Sequence, residues 1–127
     1  MPCETPIQSR LAAYLTHWKT GEKAPWMALF AEDAVLIDPV GTPGHAGTEA
    51  ISAFWDRVHQ LPMTFHPEQD RVVVCENEAL MLFRMVSRPE TGPGMSMEIA
   101  DTFQFNDEGL ITELKAYWDP ATTIMVD

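Results

Sequence analysis

The sequence predicts an α+β domain in which three helices from the first half of the chain pack on one face of a curved antiparallel sheet. Three observations predict it: apolar residues recur at helical spacing before residue 62, they alternate along long runs after it, and the turns between those runs are short. With 127 residues and 46% hydrophobic content, the chain has the size of one domain, 1–127, able to build a core without disulfides or a metal.

Thr5 offers a cap hydroxyl, Pro6 suits a first helical position and Gln8 completes a capping box, so a helix starts there. Ile7, Leu11, Tyr14, Leu15 and Trp18 make one apolar stripe that ends before Gly21, with Tyr14 on the buried side. Pro25 opens a second, short helix whose apolar face is Trp26, Leu29 and Phe30. From Ala34 the run AVLIDPV reads as a strand. Pro39 has no amide hydrogen for a ladder and Gly41, Pro43, Gly44 and Gly47 follow, so Asp38 falls at the strand end. Thr48 caps a third helix with Ile51, Phe54, Trp55 and Val58 on its buried face, and Pro62 marks its end. Strands are expected over 64–75, 79–88, 95–106 and 110–119, at antiparallel hairpin spacings. Residues 79–86 are apolar on both faces apart from Arg84, which predicts a homodimer that covers the outer sheet face.

Nineteen acidic against eight basic side chains give a formal net charge of -11. Such a surface repels phosphate backbones and anionic lipid and disfavours strongly anionic substrates, so neither nucleic acid nor membrane is an expected partner. No apolar stretch approaches the roughly 20 residues of a membrane span, and the start lacks a basic segment followed by an apolar one. Cys3 and Cys75 lie far apart without CxxC spacing, which fits a reducing cytoplasm.

The most informative segment is 95–106, where Met95, Met97, Ile99, Phe103 and Phe105 share one face with Asp101. Shifting the register to expose Asp101 would bury Ser96, Glu98, Thr102, Gln104 and Asn106 instead. A carboxyl group in an apolar row keeps its proton, because desolvation penalises the charged form, and a neutral acid donates a hydrogen bond. A bulge or structural hydrogen bond is the plainer reading of that segment taken alone. Asp38 is equally readable as an ordinary turn residue before proline, or as a carboxylate at a cavity mouth, where a general base belongs. Tyr14 reads as a core residue whose hydroxyl seeks a partner, or as a donor into the same cavity.

No GxSxG, P-loop, GxGxxG or Cys/His arrangement is present, and His17, His45, His59 and His66 lack metal-ligand spacing, so no metal is assigned. The chemistry is left to acids and a phenol. Among the aromatic and methionine residues, Trp26, Phe30, Phe54, Trp55, Phe83, Met97, Phe103 and Trp118 are the candidates to line a pocket for a flat apolar ligand.

The segment LFAEDAVLIDPVGTPGHAGTEAISAFW, starting at Leu29, resembles the corresponding stretch of bacterial Δ5-3-ketosteroid isomerases of the nuclear-transport-factor-2-like superfamily. Tyr14 falls where that family keeps its catalytic tyrosine, and Asp101, leading DTFQFNDEGLITELKAYW, matches its protonated aspartic acid. The likeness covers nearly the whole chain, although the middle strands match only in character. Trp55 stands where some of these isomerases place a tyrosine that hydrogen-bonds the catalytic one, and an indole donates but does not accept. The stretch between Asp38 and Asp101 is longer than in the family, and the extra length is assigned to the turn over 89–94.

The resemblance implies that helices and sheet form a cone around an apolar cavity, and that the chain is a cofactor-independent steroid Δ-isomerase acting on a small apolar ketone, in which Asp38 moves a proton from the α to the γ position while Tyr14 and neutral Asp101 stabilise the dienolate. Two carboxyl groups held in opposite protonation states by their surroundings is a principle for which ketosteroid isomerase is itself the standing example. A SnoaL-like polyketide cyclase or dehydratase, and a non-catalytic module that binds an apolar ligand, are the alternatives, since the fold hosts several functions.

Overall fold

The computed structural model describes residues 6–126, so the expected Thr5 cap and Cys3 lie outside the described residues. The chain runs α1 (Pro6–Thr20), α2 (Lys23–Met27), β1 (Phe30–Ile37), β2 (His45–Ala46), α3 (Thr48–His59), β3 (Met63–Cys75), β4 (Glu78–Pro89), β5 (Gly94–Phe105) and β6 (Ile111–Tyr117), then a 3-10 turn (Pro120–Thr122) and β7 (Ile124–Val126). Three helices pack on one curved sheet of order β2-β1-β6-β5-β4-β3, with β7 paired to β5. The long strands begin and end within three residues of their expected positions.

Local differences have physical causes. β1 lies parallel to β6 although every other pairing is antiparallel, because the chain crosses the whole sheet between them. β1 also starts at Phe30, four residues before the expected Ala34. Its register on β6 breaks between Phe30 and Val35, and this irregularity carries the exposed pair Glu32 and Asp33 in mid-strand. Phe30 therefore belongs to a strand and not to the face of α2. That helix opens at Lys23, with Pro25 inside its first turn, where a missing N–H costs no helical bond. The N-cap of α3 is Gly47 at φ 90, and the Thr48 hydroxyl reaches the Glu32 carbonyl at 3.5 Å in place of capping the helix.

The core lies between helices and sheet. Leu11, Tyr14, Leu15 and Trp18 of α1, Trp26 of α2 and Ile51 and Trp55 of α3 meet Leu36, Met81, Phe103, Ile111 and Leu114 from the strands. Full burial of a large apolar side chain stabilises by about 1.5–3 kcal/mol, so this cluster holds the helices against the sheet. No helix among the described residues is long and apolar enough to cross a membrane.

Candidate active site

The inward positions of three strands form one transverse row. Met81 of β4 pairs with Asp101 of β5, and Asp101 pairs with Ala116 of β6. On the far side, Ile37 pairs with Lys115, and the Val40 amide donates to the Ala116 carbonyl at 2.9 Å, so Asp38 follows β1 alongside Ala116. Two strand spacings, about 10 Å of backbone, thus separate the carboxyl-bearing residues. The residue between them is alanine, whose methyl leaves the floor of the row open.

This row borders a cavity of about 230 Å³, lined among others by Tyr14, Asp38, Asp101 and Ala116. A larger hollow of about 500 Å³ opens toward Val40, Asp70, Glu98 and Asp119. The smaller cavity is the candidate site because it gathers the phenol and both inward carboxyl groups. Of the eight apolar residues singled out from the sequence, Phe54, Phe83, Met97 and Trp118 line it. Trp26, Phe30, Trp55 and Phe103 do not, because they are taken up in the packing behind Tyr14: the Trp26 ring packs at a tilt against Trp55 (centroids 4.6 Å apart) and Phe30 (4.7 Å), and Phe103 meets the Tyr14 ring edge-on at 5.4 Å. Trp18, Val58, Phe65, Met85, Ser87 and Ile99 also line the cavity. The alternation that marks Phe83 contains Met85 and Ser87 as well, and Trp18 lies one helical turn beyond Tyr14.

The two carboxyl groups meet different surroundings. Asp101 is 2% exposed and its Oδ1 has no hydrogen-bond partner. Burial pushes its proton affinity well above the usual carboxyl range, and the charge of Asp38 adds to that. Asp38 is partly buried and accepts a hydrogen bond of 2.8 Å from the Trp118 indole N–H. Burial raises its proton affinity too, but the Trp118 bond and His45 oppose the rise. A single proton shared between these environments therefore rests on Asp101. The Tyr14 phenol is held neutral chiefly by burial, then by its nearness to the carboxyl groups of Asp101 and Asp38, while a hydrogen bond from Trp18 pulls the other way. Neutral Tyr14 and neutral Asp101 are both O–H donors facing one cavity, with a carboxylate at its edge. Such a set can accept a carbon-bound proton and stabilise an oxyanion.

Trp55 supplies no hydroxyl to Tyr14. Its ring packs at a tilt against Trp26 and stacks at 3.7 Å on His59, whose Nδ1 donates to the Trp55 carbonyl at 3.0 Å. Trp18 is the side chain that acts on the Tyr14 oxygen. Among the described residues, no group of three histidine, cysteine, aspartate or glutamate side chains is placed to hold a metal ion.

Residues 11–114 match the model of the SnoaL-like domain. The steroid Δ-isomerase of Nocardioides simplex is 29% identical over 94% of each chain. The epoxide hydrolase LasB of Streptomyces lasalocidi is 27% identical over 93% of this chain, which spans only 43% of that relative's length. The crystal structure of Δ5-3-ketosteroid isomerase from Mycobacterium sp. superposes with a TM-score of 0.83 at 22% identity, covering 96% of this chain and 99% of the other. The cone of helices and sheet, and a sequence match across most of its length, show that this chain belongs to the SnoaL-like domain family, with the nuclear-transport-factor-2-like fold of the ketosteroid isomerases.

Proposed function

We propose that the chain is a steroid Δ-isomerase that moves a C=C bond of a 3-ketosteroid from the β,γ to the α,β position without a cofactor. The observation that carries this reading is the transverse row in which Asp38 and Asp101 flank Ala116 beneath Tyr14, with burial favouring the proton on Asp101. Asp38 takes a proton from the carbon between ketone and alkene. Electron density moves onto the ketone oxygen, where the Tyr14 and Asp101 O–H groups stabilise it in a site screened from water. Asp38 then returns the proton to the γ carbon, and the enone is released. Phe54, Phe83, Met97 and Trp118 supply apolar walls for a flat substrate. A homodimer through the outer sheet face and a cytoplasmic location complete the reading, the first supported by the exposed Val40 and Tyr117 on or beside that face.

The match to an epoxide hydrolase keeps one rival specific: the same acids opening an epoxide in a polyketide-derived substrate. The assay that separates them follows ultraviolet absorbance of a Δ5-3-ketosteroid with wild type and with Asp38→Asn. Growth of the conjugated-enone band with wild type alone is the expected result. No growth with either protein would overturn the isomerase reading and favour the rival.

A further inference from the structure

Behind the cavity wall sits a titratable side chain that the proposed chemistry does not use. His59 ends α3, and its ring stacks on Trp55 with centroids 3.7 Å apart and on Trp18 at 5.0 Å, while Phe65 of β3 meets it edge-on at 5.4 Å. Trp18 and Phe65 line the cavity. Trp18 also meets the Tyr14 ring edge-on at 6.5 Å, so one indole separates His59 from the phenol.

The surroundings of the imidazole fix its form. Nδ1 lies 3.0 Å from the Trp55 carbonyl, which only accepts, so Nδ1 carries the proton and Nε2 a lone pair. That Nε2 is buried and has no hydrogen-bond partner among the described residues. A second proton would have to sit on Nε2, where the rings packed on the imidazole offer no oxygen to accept it. The last turn of α3 and the indole faces favour a positive charge, yet desolvation outweighs them and lowers the proton affinity of His59. Asp56, on the same helix and paired to Lys23 at 2.8 Å, opposes that lowering. The titratable groups nearest the packed rings on the other elements are Tyr14, His17 and Lys19 around Trp18 and His66 beside Phe65, and none of them is a partner of Nε2.

We propose that His59 is a positioning residue and an acid-sensitive lock: neutral, it holds Trp18 against Tyr14 and keeps the cavity wall closed; protonated, its ring leaves the stack and the wall loosens. Acid trades the stack for solvation of the charged ring. Stability is lost as pH falls from the ordinary histidine value to the lowered folded one, and ligand affinity is lost below the latter. The consequence for catalysis, through Tyr14 as donor, rests on the isomerase reading.

The test uses Asp38→Asn protein, so that the base does not titrate, and measures Kd for a conjugated 3-ketosteroid at pH 8 and pH 5 with His59 present and with His59→Phe, which keeps a ring but holds no proton. With His59, Kd is expected to rise about tenfold on acidification, the size of a one-unit difference in proton affinity between free and liganded protein. With His59→Phe it changes less than about twofold. Equal rises in the two proteins, or no rise with His59, overturn the proposal. Long-range proton–nitrogen NMR of ligand-free wild type decides the matter even where His59→Phe fails to fold or the steroid does not bind. His59 is expected to be neutral with its proton on Nδ1 at pH 7, and the Trp18 indole resonance to shift as His59 titrates. An Nε2–H tautomer, or an indole that ignores the titration, overturns the lock. A His59-dependent loss of affinity in a chain whose wild type makes no enone upholds the lock and sinks the isomerase reading, and enone formation with pH-independent binding does the reverse.

Discussion

Asp38 and Asp101 border one cavity from two strands, yet the mouth and the floor treat negative charge differently. At the mouth the chain turns away after β1, so Asp38 keeps some exposure and a donor in Trp118. On the floor Asp101 sits in mid-strand, sealed by Met81, Ala116 and the helices, with an oxygen that nothing donates to. Position along a strand thus biases where a proton rests. A strand end offers water and indole donors to a charge, and a strand centre offers neither.

The sharpest way to break this comparison is to make the same substitution at both positions. Asp38→Asn removes the only group able to carry the proton, and kcat for enone formation is expected to fall by about 10²- to 10⁴-fold. Asp101→Asn keeps an N–H donor, and the expected loss is only about tenfold. Equal losses, measured by enone absorbance, would show that the two carboxyl groups do the same job.

Stability supplies the next contrast. In the ordinary carboxyl range the unfolded chain ionises Asp101 while the folded protein holds it neutral, so wild type loses stability as pH rises from that range toward the raised folded value. Asp101→Asn escapes this loss. Its denaturation midpoint is expected to gain on wild type between pH 4 and pH 7, and a gap independent of pH would mean that Asp101 ionises normally. Smallest is the effect of Trp118→Phe. The indole bond favours the Asp38 carboxylate, so its removal moves the acid limb of the kcat/KM profile to higher pH, with less than about tenfold change on the plateau.

How much of this is legible in the sequence depends on whether the signal is local. The clean alternation over 95–106 announces both β5 and the inward carboxyl of Asp101, because a strand of period two writes its buried face directly into the chain. The helical stripe through Tyr14 is legible for the same reason. The parallel partner of β1, the two-residue β2 and the late β7 are not, since each is fixed by pairing with a distant strand. Nor is the bond from Trp118 to Asp38, which joins residues 80 apart. Cavity lining was the least legible feature: Trp26 and Phe103 have the same composition and spacing as the true wall residues, and only packing decides that they support Tyr14 from behind.

The central claim, a neutral Asp101 beside an ionised Asp38, is tested most directly by carbon-13 NMR of the side-chain carboxyl groups in protein labelled at aspartate, assigned with Asp38→Asn and Asp101→Asn and titrated from pH 3 to pH 9. At pH 7 the Asp101 carboxyl carbon is expected to keep the shift of a protonated acid while Asp38 shows that of a carboxylate. Two carboxylates at pH 7 would contradict it.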